Sequence, residues 1–228
     1  MAFANLPLVD WLRYLAYRKL QGFTALQISI LPVTHDTSMG SQNVDPFLKD
    51  RQGNWDFTRY NEEYFAKAEQ MVDMAVAEGF APVLGVLWCS YVPGTRCSQG
   101  SPVAAAMPLA AIAPYATYAA QRFARFDPIF FISGDTRFEA PDEEPYYMAA
   151  LQAVKAVCPD ALLTMPRTYA EQLASVLPVV CRDLPVSVAP LSIWMYWHAD
   201  RDGDPAHQWL RRLVGQGARK AMHEMNDL

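Results

Sequence analysis

Pro128-Ile-Phe-Phe-Ile-Ser-Gly-Asp135-Thr-Arg-Phe-Glu139 is the stretch on which the fold turns. Its apolar run reads as a buried strand. The run stops at Ser133-Gly134, and a carboxylate follows at once. Glycine allows a sharp backbone turn, so Asp135 is expected at the carboxyl end of a strand. In parallel α/β sheets and barrels, that edge carries the chemistry. The competing role for Asp135 is to cap the turn or helix that follows.

Working outward, helix and strand alternate. Residues 10–20 place Leu12, Ala16 and Leu20 on one helical face, and residues 23–31 read as a strand that Pro32 ends. Residues 33–60 read as a long polar loop, of the length that is usually functional. Asn61 is a good N-cap, with Glu62 and Glu63 in the first turn. Tyr64, Ala68, Met71, Val72 and Ala75 then keep a helical period. Residues 80–88 form a continuous apolar strand. A second polar loop passes through Pro93 and Gly94. Ile112, Tyr115, Ala116, Ala119, Phe123 and Phe126 mark the next helix. Asp142 is positioned to cap a helix striped by Tyr147, Ala150, Leu151, Val154 and Val157. Pro159-Asp160 is a turn before a short strand at 161–165. After Arg167 the period is lost, apart from a strand at 191–196, a turn at 200–205 and a helix at 208–223.

Strands that are apolar throughout, separated by helices, imply a parallel sheet covered by helices. A right-handed βαβ series gives either a doubly wound sheet or a (β/α) barrel. No GxGxxG or Walker sequence is present, which favours the barrel.

The bulk properties narrow the function. With 228 residues, one domain is expected. The net charge of -5 and the absence of a basic block argue against nucleic acid. The most apolar segment, residues 103–120, is interrupted by Pro108 and Pro114 and is not expected to span a membrane. The start of the chain lacks a basic n-region, so no signal peptide is read and a cytoplasmic setting is expected. Cys89, Cys97, Cys158 and Cys181 show no CxxC pair, so no zinc site is assigned. Free thiols are expected, with a Cys89–Cys97 loop disulfide as the alternative. His198, Asp200, Asp202 and Asp204 have metal-ligand chemistry, but Gly203-Asp204-Pro205 reads as an ordinary turn. No metal is assigned.

Leu26-Gln-Ile-Ser-Ile-Leu-Pro32, Asn61-Glu-Glu-Tyr-Phe65, Val86-Leu-Trp-Cys-Ser-Tyr-Val-Pro93 and Ile132-Ser-Gly-Asp-Thr-Arg-Phe-Glu139 resemble, in this order, the apiosidase-like glycoside hydrolase domain. The resemblance covers roughly residues 9–165 and implies a (β/α)8 TIM-type barrel of the retaining glycosidases. It implies that Asp135 is the acid/base, with a nucleophilic Glu at the end of a late strand. No Asn-Gly-Glu-Pro-like segment follows Met165, and only nine residues precede Asp10. The expected architecture is therefore a single partial barrel lacking the first and last strands, with residues 166–228 matching poorly. Open sheet edges would then favour self-association.

Glycoside hydrolysis needs two carboxyl groups. Asp135 is the candidate acid, its pKa raised by apolar walls such as Phe131 and Trp88. Glu139, four residues on, is a candidate for supporting the loop or binding a hydroxyl. Trp88 and Tyr91 are candidate stacking surfaces for a sugar ring, with a core role as the alternative for Trp88. His35 and Asp36 are candidate hydroxyl ligands, or else a surface pair. Arg137 is a candidate for positioning substrate through Glu139 or Asp36. The expected partner is a carbohydrate, and no cofactor is required.

Overall fold

The structure is a computed structural model that describes residues 6–33, 44–95, 97–98, 106–134, 142–162, 174, 180 and 199–226. They fall into two units, Met1–Thr164 and Met165–Leu228.

The first unit is organised by a parallel sheet of β1 (Ala25–Ser29), β4 (Ala81–Trp88) and β5 (Ile129–Gly134), in that order. Leu26 pairs with Pro82, Ile28 with Leu84, Leu84 with Phe130, and Trp88 with Gly134. The spatial order follows the chain order, without the reversal of a doubly wound sheet. Both crossovers step the same way, so right-handed connections put their helices on one face. Those helices are α2 (Glu62–Ala77) and α3 (Leu109–Phe123), flanked by α1 (Leu8–Leu20) and α4 (Glu144–Val157).

Burial separates the two faces of the sheet. Leu26, Ile28, Leu84, Val86, Phe130 and Ile132 are all at or below 5% exposure. The alternate residues include exposed Gln27 and half-buried Val83, Ile129 and Phe131. One face is thus sealed, and the other is partly open, with Ser29 and Leu87 buried on it. After α4 the chain returns beside β5, where the Phe130 amide donates to the Leu162 carbonyl at 3.1 Å. The strand expected at 161–165 lies outside the described residues beyond that point, as does the one expected at 191–196.

The expectation of a loop over residues 33–60 is corrected. An antiparallel hairpin of β2 (Phe47–Lys49) and β3 (Trp55–Tyr60) occupies its second half. Trp55-Asp-Phe-Thr-Arg-Tyr60 alternates large apolar and polar residues over most of its length, the pattern of a half-buried strand. Asp50 sets the turn, because its carboxylate accepts from the Gln52 and Asn54 amides at 2.8 and 2.9 Å. Gly53 turns the chain back at φ +86°.

The caps follow the sequence in one helix and depart from it in another. The Asn61 side chain accepts from the Glu63 amide at 3.2 Å, as an N-cap does. Helix α4 instead has Glu143 at its N-cap position, with no side-chain cap bond and a proline in its first turn, so Asp142 is not its cap. The Trp11 indole N–H donates to the Met71 carbonyl at 2.9 Å and ties α1 to α2.

In the second unit, α5 (Pro205–Asn226) extends beyond the expected 208–223. The Asp204 carboxylate accepts from the Ala206 and His207 amides at 2.9 and 3.2 Å. Asp204 is therefore a helix N-cap. Among the described residues, no helix is long and apolar enough to cross a membrane.

A charged network staples α2 to α3. Arg122 bonds Glu62 at 2.6 Å and Glu69 at 3.1 Å, and the Tyr118 hydroxyl donates to Glu62 at 2.7 Å. The Tyr60 ring stacks on Tyr118 at 4.0 Å and brings the hairpin into the cluster. The Tyr118 hydroxyl and then Arg122 hold the Glu62 carboxyl below its usual value of 4.5. A depressed native pKa means a contribution that is present above the ordinary Glu range and is lost as pH falls through the lowered value. Glu62→Gln should lower the thermal midpoint at neutral pH, and the gap to the native chain should close below about pH 4. Melting curves across pH test this; a gap independent of pH would count against it.

Candidate active site

The ends of parallel strands leave carbonyls without ladder partners, and buried ones must find donors elsewhere. Three buried tyrosines supply them. The Tyr64 hydroxyl donates to the Ile30 carbonyl at 2.6 Å, and the Tyr91 hydroxyl to the Pro32 carbonyl at 2.6 Å. The Tyr115 hydroxyl donates to the Val86 carbonyl at 3.0 Å. Burial pushes the Tyr115 phenol well above its ordinary pKa, so it stays a protonated donor. These bonds fix the carboxyl ends of β1 and β4 to the helices and to each other.

Beyond Trp88 the chain makes a tight turn, Cys89–Tyr91, that is fully buried. The Thr95 hydroxyl donates to the Cys89 carbonyl at 2.7 Å and lies 3.0 Å from the Val92 carbonyl. It accepts in turn from the Ser98 amide at 3.1 Å. The Met107 amide donates to the Tyr91 carbonyl at 2.7 Å and pins the returning chain. Cys89 and Cys97 are joined in a disulfide, their Cα atoms 5.7 Å apart. The expectation of free thiols is corrected here: the tight turn and its Thr95 bonds bring the two residues within bridging distance. Cys158 is a free thiol. Ser90 Oγ, at the centre of this turn, is buried without a hydrogen-bond partner among the described residues.

At the end of β5, Gly134 meets the side chain of its register partner. The Trp88 indole lies across Gly134, so a Cβ at position 134 would clash with the ring. The ring is half-buried and meets Phe131 nearly edge-on, with centroids 6.4 Å apart at 65°. Gly134 is thus required for a close approach, and the residue after it in the chain is Asp135.

A family model, "Apiosidase-like, catalytic domain", matches residues 1–197. The chain belongs to the apiosidase-like family. A solved glycoside hydrolase family 5 structure from Bacteroides vulgatus ATCC 8482 is 18% identical with a TM-score of 0.50, over 71% of this chain and 33% of that one. That likeness is one of fold. The endoglucanase Cel5A of Pseudomonas stutzeri is 15% identical with a TM-score of 0.46, over 67% of this chain and 41% of that one. The HTH-type transcriptional regulator SyrM of Rhizobium etli is 39% identical over 62 residues, 27% of this chain and 18% of the regulator. This chain therefore spans well under half the length of each of these proteins.

Of the expected site residues in this apiosidase-like domain, Trp88 stands at the carboxyl end of β4, half-buried. Tyr91 stands at the same edge, but it is fully buried with its hydroxyl bonded to Pro32. It supports the edge from below and does not offer the open stacking surface expected of it. His35, Asp36, Asp135, Arg137 and Glu139 lie outside the described residues. Among the described residues, no group of three or more His, Cys, Asp or Glu could hold a metal ion.

The sequence reading missed the close approach at Gly134, the Thr95 clasp and Trp55. Trp55 begins the second strand of the hairpin and is half-buried against Tyr91. The alternation over residues 55–60 was the available signal for it.

Two outcomes are expected. Gly134→Ala should destabilise the protein by about 1–3 kcal/mol, as overpacking does, and Trp88→Ala in the same chain should recover much of that loss. Strict additivity of the two changes in denaturant unfolding would refute the contact. Cys97→Ser should cost about 2–3 kcal/mol, because the bridge closes a short loop with a sequence separation of 8. The same variant should match the native chain once both are measured in strong reductant.

Proposed function

We propose that this apiosidase-like domain is a retaining glycoside hydrolase acting on a plant-derived glycan or glycoside. The observation that carries the proposal is the family match over residues 1–197, together with the sequence Ser133-Gly134-Asp135 at the carboxyl end of β5. The sheet order and single helix-bearing face are what a segment of a (β/α)8 barrel would have, one lacking its first and last strands.

In this reading Asp135 protonates the leaving oxygen and later deprotonates the attacking water. A second carboxylate, about 5–5.5 Å away, attacks the anomeric carbon. Trp88 offers an aromatic face to the sugar, while Arg137, Glu139, His35 and Asp36 bind hydroxyls or orient Asp135. Two carboxyl groups suffice for this chemistry.

A second reading has a specific support. No Asn-Gly-Glu-Pro-like segment occurs in residues 166–228, so Asp135 has no assignable nucleophilic partner. The alternative is a catalytically inactive barrel remnant that binds carbohydrate. The Cys89–Cys97 disulfide bears on the setting of either form. Disulfides persist in oxidising compartments and are rare in the cytosol, so it supports the former over the cytoplasmic setting.

Hydrolysis of a panel of aryl glycosides and pectic oligosaccharides, by the native chain and Asp135→Asn, tests the proposal. Loss of on the order of 10²–10⁴ in turnover is expected of a missing acid/base. Unchanged turnover would remove Asp135 from the role. Saccharide binding without turnover by the folded native chain would establish the remnant form.

A further inference from the structure

Trp55 sits on the insertion between β1 and α2, in the connection that leaves the carboxyl edge of the sheet. Its ring lies 13° from parallel with Tyr91, with centroids 6.4 Å apart. Phe57 meets it edge-on at 6.3 Å and 89°, and Phe47 lies tilted at 5.9 Å. The supporting rings are themselves held. Tyr91 and Phe47 are at 0% and 1% exposure, and the Tyr91 hydroxyl is bonded to Pro32. Trp55 and Phe57 keep part of their surface open, and of the two only Trp55 is stacked on a buried ring. An indole fixed by neighbours and still partly accessible has little rotamer freedom left to lose on binding, which favours a rigid contact.

We propose that Trp55 is a binding platform for a sugar ring of the substrate other than the one undergoing reaction, and that Tyr91 is its support. The C–H groups on the flat face of a pyranose are apolar and carry partial positive charge, complementary to the negative face of an indole. Trp88, at the end of β4, and Trp55, on the connection between β1 and α2, then provide aromatic surface along one sheet edge. The proposal rests on the glycosidase reading, extends it to an oligosaccharide, and gives Trp55 a role distinct from chemistry.

The test uses the full chain with cello-, xylo- and galacturono-oligosaccharides from disaccharide to hexasaccharide, and with aryl monoglycosides. Titration calorimetry supplies Kd in the Asp135→Asn background, and kinetics supply kcat and KM in the native one. Trp55→Ala should weaken hexasaccharide binding about tenfold, which is ~1.4 kcal/mol, while leaving kcat on aryl monoglycosides unchanged. Trp55→Phe should retain most of the affinity. Trp55→Leu keeps the packing against Phe47 and decides the matter where the alanine variant fails to fold. Unaltered hexasaccharide affinity, or equal losses on long and short substrates, would overturn the platform while leaving the glycosidase reading in place. A native chain that binds and cleaves none of these saccharides would overturn both.

Discussion

Carbonyls at the carboxyl ends of parallel strands must be satisfied, and this domain meets the requirement with buried phenols. Each of Tyr64, Tyr91 and Tyr115 reaches from a helix or a loop to a strand-end carbonyl. A neutral hydrogen bond contributes only about 1 kcal/mol net, but a buried carbonyl left without its donor costs about 1–3 kcal/mol. The phenols therefore do more than add stability: they hold the edge of the sheet against water. Everything of functional interest stands on that edge. Trp88 ends β4 there, Gly134 ends β5 there, and the Cys89–Cys97 loop and the hairpin grow from it.

Much of this was legible in the sequence, for reasons that can be named. Helix α2 was readable because Asn61, the two glutamates and the apolar period agree at every level. Strands β4 and β5 were readable as unbroken apolar runs. The hairpin was missed because its residues look polar on average, and Gly53 and Pro46 suggested only a loop. The alternation from Trp55 to Tyr60 carried the correct signal. Tyr91 was assigned to the substrate from its place after a strand. A tyrosine there has two available uses, however, and only geometry shows that its hydroxyl is committed to Pro32. The disulfide lay further from reach, because the loop closure depends on Thr95 bonding back to Cys89. The five remaining candidate residues fall outside the described residues, so the sequence alone speaks for them.

The two faces of the sheet carry a different lesson. Continuous apolar strands suggested burial on both sides. The helix-bearing face is buried, while on the other Leu87 and Ser29 are buried and Val83, Ile129 and Phe131 are only half covered. In a closed barrel such residues fill the interior in layers contributed by every strand. The half-covered side chains among the described residues are compatible with a segment of such a barrel.

The contact between Trp88 and Gly134 joins fold to chemistry. Any side chain at 134 would displace the indole, and any displacement of the indole would shift the edge on which the next residue of the chain begins. The glycine is therefore not a passive turn former. It allows a large aromatic ring to lie against the backbone immediately before an acidic residue. Gly134 thereby sets both the packing of Trp88 and the way β5 ends.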